Sequence, residues 1–329
     1  DLEKIPMYPF SNNETLKLPV EVARLGTVDY SGKLEGYFYD FISKGTFRTA
    51  LGKAYTDIAM QIDTVKSKVK YQGLVVSDNF NLGKLLDVPK LGALTVNSKI
   101  KGSGLTLKEL NAELNGTINA LAYNNYVYQN ISINGTLQKR IFKGDLLSKD
   151  ANADFDFNGS VDFTKKVPDI DFISTINKLN LKRLGFINAK EDGYISSQII
   201  IDLQGDNIDN LSGIINFDNT IYKTQEKEYK VSTFDLHLEQ ESVEKNIRLN
   251  SNIFNVAVNG PFKLSNLEGA FHTLLYSYYP AFVGKPKGKN VYTDYFKYKI
   301  TVKKFNTIRD LFIKDLMVSS NSIFDGDFD

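Results

Sequence analysis

Few residues in this chain could make or break bonds. It has two histidines, His237 and His272, and no cysteine. His237 stands between Leu236 and Leu238, so a strand that turns those leucines inward turns the imidazole to solvent. Neither histidine has acidic or histidine partners at metal-ligand spacing. Asp154 and Asp156 have the types for a calcium site or an acid and base pair. They alternate with Phe155 and Phe157, however, and a solvated outer strand face explains them. Gly102-Ser103-Gly104 lacks the following glycine-lysine and the helix context of a phosphate loop. Asn-x-Ser/Thr occurs at Asn13, Asn115, Asn130, Asn134, Asn158 and Asn210, a frequency that chance explains in an asparagine-rich chain without glycosylation. The expectation is a protein that is not an enzyme, with no catalytic residue, metal or cofactor.

The chemistry left is apolar contact, and its spacing is regular. Phe155, Phe157, Gly159, Val161 and Phe163 alternate with Asp154, Asp156, Asn158, Ser160 and Asp162. Leu114, Gly116 and Ile118 follow the same rule, as do Ile131, Ile133, Gly135 and Leu137. So do Ile199, Ile201, Leu203 and Gly205, then Val256, Val258, Gly260 and Phe262, and Phe234, Leu236 and Leu238. Four of the five glycines follow an asparagine, and Asn-Gly is the strongest short-range hairpin signal. A two-residue turn at Asn158-Gly159 would pair Phe157 with Ser160 and scramble both faces, whereas an uninterrupted strand keeps every apolar side chain on one side. Glycine inside a strand marks a bulge, a bend or a close backbone approach. Gly116, Gly135, Gly159, Gly205 and Gly260 therefore read as bends in a sheet folded around its own apolar side.

Composition fits an all-β protein. The 329 residues are 42% hydrophobic and 24% charged, enough for a large core and unlike a disordered tract. A net charge of +1 supplies no field to gather nucleic acid, so no nucleic-acid partner is expected. The sequence has no run of 18 apolar residues and no signal peptide. It opens on Asp1, and both ends read as cut, which places any export signal or membrane anchor outside this segment.

The stretch from Gly102 to Phe163 reappears about 100 residues later, a spacing that suits a stacked repeat. Asn115-Gly116-Thr117-Ile118 aligns with Asp218-Asn219-Thr220-Ile221, and Asn158-Gly159 with Asn259-Gly260. A shorter signature occurs at 80–86, 179–184 and 305–312, where leucines at i, i+3 and i+4 predict single helical turns. Gly269 to Tyr295 reads as a tyrosine- and proline-rich insert with a basic loop at 285–289. With 8 prolines scattered and 23 glycines spread evenly, no linker divides the chain. The expected organisation is one continuous repetitive sheet over 1–329, in blocks 28–101, 102–204 and 205–329, elongated by stacking.

The block Gly32 to Phe41, then Gly45-Thr46-Phe47-Arg48-Thr49-Ala50-Leu51-Gly52 and Thr56-Asp57-Ile58, resembles the translocation and assembly module TamB of Bacteroidetes, within the AsmA-like, bridge-like lipid transfer superfamily. The in-phase Asn-Gly blocks and 305–328, including Leu311-Phe312-Ile313-Lys314-Asp315-Leu316, are similar to the same family. The resemblance covers most of 28–329, and the order of its motifs carries its specificity. It implies a U-shaped, taco-like β-sheet with a hydrophobic groove, held in the periplasm of a Gram-negative bacterium by an inner-membrane anchor that this chain lacks. It further implies phospholipid transport to the outer membrane, a role in outer-membrane protein assembly, and a barrel partner of the TamA or BamA type for the full-length protein.

The apolar phase has two uses. It can be a sandwich core, in which two sheet halves pack at about 10 Å, or an open groove whose exposed apolar area is filled by phospholipid acyl chains. Pattern alone leaves both open. The expected function is one section of a lipid conduit between two membranes, and the alternative is a chaperone-like scaffold that holds barrel strands by β-augmentation.

Overall fold

Alternation of apolar and polar side chains with a period of two builds almost the whole molecule. The computed structural model describes residues 23–328 except 38, 64–67, 105, 107, 166, 189–190, 279, 282–283, 286–293, 308 and 310–316. Asn13, most of the basic loop at 285–289 and the motif at 311–316 lie outside the described residues. The fold is nearly all-β, as the sequence predicts. Seventeen strands form an antiparallel sheet, with two helices among the described residues.

The chain divides into two compact units, Asp1–Asp154 with Lys182–Asn188, and Phe155–Leu181 with Ala189–Asp329. The first holds a meander of β1 (Asp29–Tyr37), β2 (Asp40–Thr49), β3 (Gly52–Asp63), β4 (Lys68–Asn81), β5 (Leu91–Ser103), β6 (Asn111–Tyr123), β7 (Tyr126–Gln138) and β8 (Ile141–Lys149). Each strand pairs antiparallel with its chain neighbour. Helix α1 (Leu82–Leu86) joins β4 to β5. Its first turn is capped by the Asn81 side chain, which accepts from Lys84 N at 2.9 Å, and Asp87 in the left-handed region ends it. Strand β9 (Ala153–Asp162) runs from the first unit's sequence into the second's.

The second unit continues as β10 (Asp169–Leu179), β11 (Gly193–Gln204), β12 (Ser212–Thr224), β13 (Glu228–Glu241), β14 (Glu244–Ser251), β15 (Phe254–Gly260), β16 (Phe296–Val302) and β17 (Ile323–Phe328). These pairings are antiparallel too. Helix α2 (Leu264–Tyr278) stands between β15 and β16, at the start of the region the sequence marks as an insert. Of the three leucine signatures, that at 80–86 holds α1, that at 179–184 forms non-helical turns after β10, and that at 305–312 opens with a 3-10 turn at Phe305–Thr307.

The hairpins close without Asn-Gly. Tyr123 pairs with Tyr126 across Asn124-Asn125, and Gln138 with Ile141 across Lys139-Arg140. All four loop residues have positive φ, as a type I′ turn demands. Asparagine tolerates that conformation; lysine and arginine pay on the order of 1 kcal/mol or more for it. Arg140→Gly removes that strain at φ 74, partly offset by the greater freedom of glycine when unfolded. A net gain of roughly 0.5–1 kcal/mol is expected, read as a higher urea midpoint by circular dichroism. A lower midpoint would show the turn to be unstrained.

Candidate functional site, an uncharged sheet face

The strand registers align the apolar phase into rows. In the first unit one row runs Leu34, Ser43, Ile58, Gly73, Ile100, Leu114, Gly135, Gly144 across β1 to β8, each residue directly opposite the next. The row two residues away runs Gly32, Gly45, Thr56, Val75, Ser98, Gly116, Ile133, Leu146. The flanking rows start at Gly36 and Tyr30 and contain Phe41, Met60, Tyr71 and Phe142 on one side, and Phe47, Val96, Ile118 and Ile131 on the other. None of the four rows contains a charged residue. The centre is rich in glycine, serine and threonine, while aromatic bulk stands at the margins, so the side chains themselves shape a trough. At about 4.8 Å per strand step, each row extends about 34 Å across the unit.

The opposite phase is charged. Its central row reads Lys33, Lys44, Asp57, Leu74, Lys99, Asn115, Asn134, Asp145. Lys44 Nζ lies 2.8 Å from an Asp57 oxygen, and Asn115 donates to Asn134 at 3.2 Å. A shallow cavity of about 740 Å³ lies among these polar side chains, lined by Asp57, Lys99, Lys101, Glu113 and Asn134 with their neighbours. It contains no aromatic wall, and both charge signs are mixed within it.

In the second unit the row Phe172, Ile201, Ile215, Leu236, Leu249, Val256, Ile300, Phe324 crosses β10 to β17 and is apolar at every step. Phe157 on β9 joins it through a ring contact with Phe172 at 5.0 Å. A parallel row holds Leu203, Leu238, Ile247 and Val258, and a third holds Ser174, Ile199, Phe217, Phe234 and Ser251. His237 falls on the other face, opposite Ile214 and Arg248, where its sequence position puts it.

The predicted lining residues therefore share faces, but their burial differs. Leu114, Ile118, Ile133, Leu137, Phe155, Phe157, Val161, Ile201, Leu203, Phe234, Leu236 and Val256 are half-buried. Phe163 is exposed just beyond β9. Ile131 and Ile199 are buried within their rows. Leu238, Val258 and Phe262 belong instead to a closed core with Ile247, Ala270, Phe296 and Phe328, packed beneath α2; Val258 is only 1% exposed. The sequence reading missed that helix as a cover.

Two further classes of residue shape the face. Serines at apolar-phase positions are buried, including Ser43, Ser77, Ser98, Ser174, Ser197 and Ser251. Two of these hydroxyls are satisfied by nearby carbonyls: Ser77 Oγ donates to Leu94 O at 2.9 Å, and Ser98 Oγ to Lys99 O at 3.1 Å. Asn79, Asn130 and Asn219 have positive φ within strands, and the register between β4 and β5 shifts around Asn79. Asn79 and Asn219, where the register with a neighbouring strand shifts, are bulges, which bend a strand and sharpen its twist. Of the predicted glycine bends, Gly116, Gly135 and Gly159 lie inside strands, whereas Gly205 follows β11 and Gly260 ends β15. In those two the break in pairing is made by the 3-10 turn at Ile208–Asn210 and by the approach to α2.

The tyrosines of these faces report a low-polarity setting. Burial pushes the Tyr71 phenol up. Tyr128 is pushed up to about 12, by burial first and then by Tyr123, Tyr126 and Asp150. Burial also leads the rise at Tyr298, helped by Tyr278, Asp325 and Asp327. The candidate carboxylates have structural partners: Asp154 pairs with Lys149 Nζ at 2.9 Å, and Asp156 accepts from Thr175 N at 2.8 Å. Gly104, with φ 80, donates to Val69 O at 3.0 Å and closes a strand end. Among the described residues no cluster of three His, Asp or Glu side chains could hold a metal ion, and no helix is long and apolar enough to cross a membrane. What the faces can do chemically is hold an apolar chain. No family model, curated protein or solved structure matches this sequence.

Proposed function

We propose that this chain is a section of a hydrophobic conduit that moves phospholipid between the inner and outer membranes of a Gram-negative cell, acting without catalysis. The observation that carries this is the set of uncharged rows, strand after strand, with most of their side chains half-buried rather than sealed. A sandwich core would bury that phase completely. Apolar surface on this scale is held stably in water only when something apolar fills it, and an acyl chain matches a trough with small residues at its centre. The resemblance of the ordered motifs to the TamB family is the reason for proposing a periplasmic setting and an outer-membrane barrel partner for the full-length protein. The alternative, a scaffold for barrel assembly, uses sheet edges instead of the face.

Photo-crosslinking tests which face is used. A photoreactive residue at Phe157 or Ile133 is expected to capture co-purified phospholipid, and one at Asp156 or Asn134, one step along the same strands, is not. Equal capture on both faces, or none on either with native mass spectrometry also free of lipid, removes the conduit.

A further inference from the structure

Helix α2 lies on the apolar face of the second unit. Leu264, Leu267, Phe271 and Leu274 pack toward the core, and Ala270 is fully buried there. Phe271 meets Phe296 and Tyr298 at ring-centroid distances of 5.6 and 5.7 Å. The helix thus occupies surface that, on neighbouring rows, is left to solvent or ligand.

Its attachment is one-sided. All the polar ties cluster at its start. Asp209 accepts from Ser265 N at 2.8 Å and from Ser265 Oγ at 3.0 Å. Burial works against the Asp209 carboxylate, but these bonds and nearby Lys245 and Lys263 outweigh it and hold the group below the usual range. Asp294, itself buried, accepts from Lys263 N at 2.9 Å and Asn266 Nδ2 at 2.7 Å, and Lys245 Nζ donates to Phe262 O at 2.6 Å. Beyond Asn266, among the described residues, the side-chain hydrogen bonds stay inside the helix, from Thr273 to Gly269 O and from Ser277 to Leu274 O. Its last turn leaves Leu275 48% and Tyr278 72% exposed.

Directional bonds fix one end, and exchangeable apolar contacts hold the rest. Apolar burial is non-directional, so hydrocarbon tails that enter between helix and sheet can cover both the sheet residues and the helix's own apolar face, Leu264, Leu267, Phe271 and Leu274. Gly269 follows the clamp and weakens the helix by about 1 kcal/mol relative to alanine, which places a soft joint there.

We propose that α2 is a hinged lid, clamped at Asp209 and Asp294, that swings off the Leu238, Val258 and Tyr298 row when an acyl chain enters. This rests on the conduit reading and adds a regulated opening to it. The chain has no cysteine, so spin labels at Ser277→Cys and Asn250→Cys, both exposed in the second unit, report the helix position cleanly. Pulsed dipolar spectroscopy of the full chain is expected to give one distance without lipid. With phosphatidylethanolamine and phosphatidylglycerol vesicles a second, longer distance should rise from under about a tenth to over about half of molecules, because lipid binds the open form preferentially. Phe271→Ala should raise the open fraction at every lipid concentration. Native mass spectrometry on the same samples separates the failures. Bound phospholipid with an unchanged single distance, in both wild type and Phe271→Ala, overturns the lid while sparing the conduit. No bound phospholipid in any sample overturns both.

Discussion

The Gly159→Val substitution is expected to lower stability by about 3 kcal/mol, the upper part of the usual range for overpacking. A Cβ at position 159 would stand 2.2 Å from Asp171 O and 2.5 Å from the Phe172 Cα. Neither is the end of a flexible side chain, so β10 itself must shift. Ser160→Val, one residue on and toward the other face, meets no such wall, and valine suits a strand; it should change stability by under about 1 kcal/mol. Gly116→Val should resemble Gly159→Val, since its Cβ would lie 2.3 Å from Asn97 O. Gly135→Val should cost less, because its nearest atom, Lys143 O, is 2.6 Å away and the residue directly opposite is Gly144. Urea unfolding followed by circular dichroism gives the ranking. If Gly159→Val melts with Ser160→Val, backbone closeness is not what these glycines provide, and the trough loses its physical cause.

What the sequence reveals here is what a period of two can encode. A strand that puts Phe155, Phe157 and Val161 on one side and Asp154, Asp156 and Asp162 on the other has one consistent register, so the face was readable and Asn158-Gly159 could be placed mid-strand rather than in a hairpin. The turns that do close the hairpins were not readable. Lys139-Arg140 carries no turn signature, because the pairing of β7 with β8 imposes the turn on residues that resist it. Asn79 and Asn219 were hidden for a related reason: a bulge depends on the neighbouring strand's register, which is not local.

The fate of the face was less legible than its existence. Serine at Ser43, Ser98 or Ser174 sits on the apolar phase, which was the available signal that the floor is tight; the residue type alone suggests solvent. Leu264, Leu267, Phe271 and Leu274 recur with helical spacing, yet they lie where tyrosines, prolines and lysines crowd the sequence and suggest a loop. Missing that helix made Leu238, Val258 and Phe262 look like open lining, when a second layer covers them. Alternation tells which side a residue is on. It cannot tell what lies above that side.

Ile201→Arg is expected to stop phospholipid movement in the full-length protein while the chain stays folded and at normal abundance. Ile201 lies between Phe172 and Ile215 in the second unit's apolar row, and no α2 residue is among its row partners. An arginine there puts a charge beside every tail that passes, and leaving such a charge poorly solvated costs at least a few kcal/mol. A few kcal/mol is more than tenfold in occupancy. The long side chain can reach toward water and soften the barrier, so Ile201→Asp, which cannot, should block at least as well. Ile200→Arg is the matched control: the same residue type, one position away, 40% exposed on the opposite face in a row with Asn216, Asp235 and Asn250, and expected to leave lipid delivery intact. The conduit and scaffold readings part at this pair. A conduit fails at its face, so lipid delivery should be lost first and barrel assembly spared; a scaffold works at strand edges, which neither substitution touches. Intact lipid delivery together with intact barrel assembly in the Ile201→Arg cells would remove the conduit and leave the scaffold standing, and loss of lipid delivery to the same extent from Ile200→Arg would mean that the effect comes from charge on the sheet rather than from a blocked path.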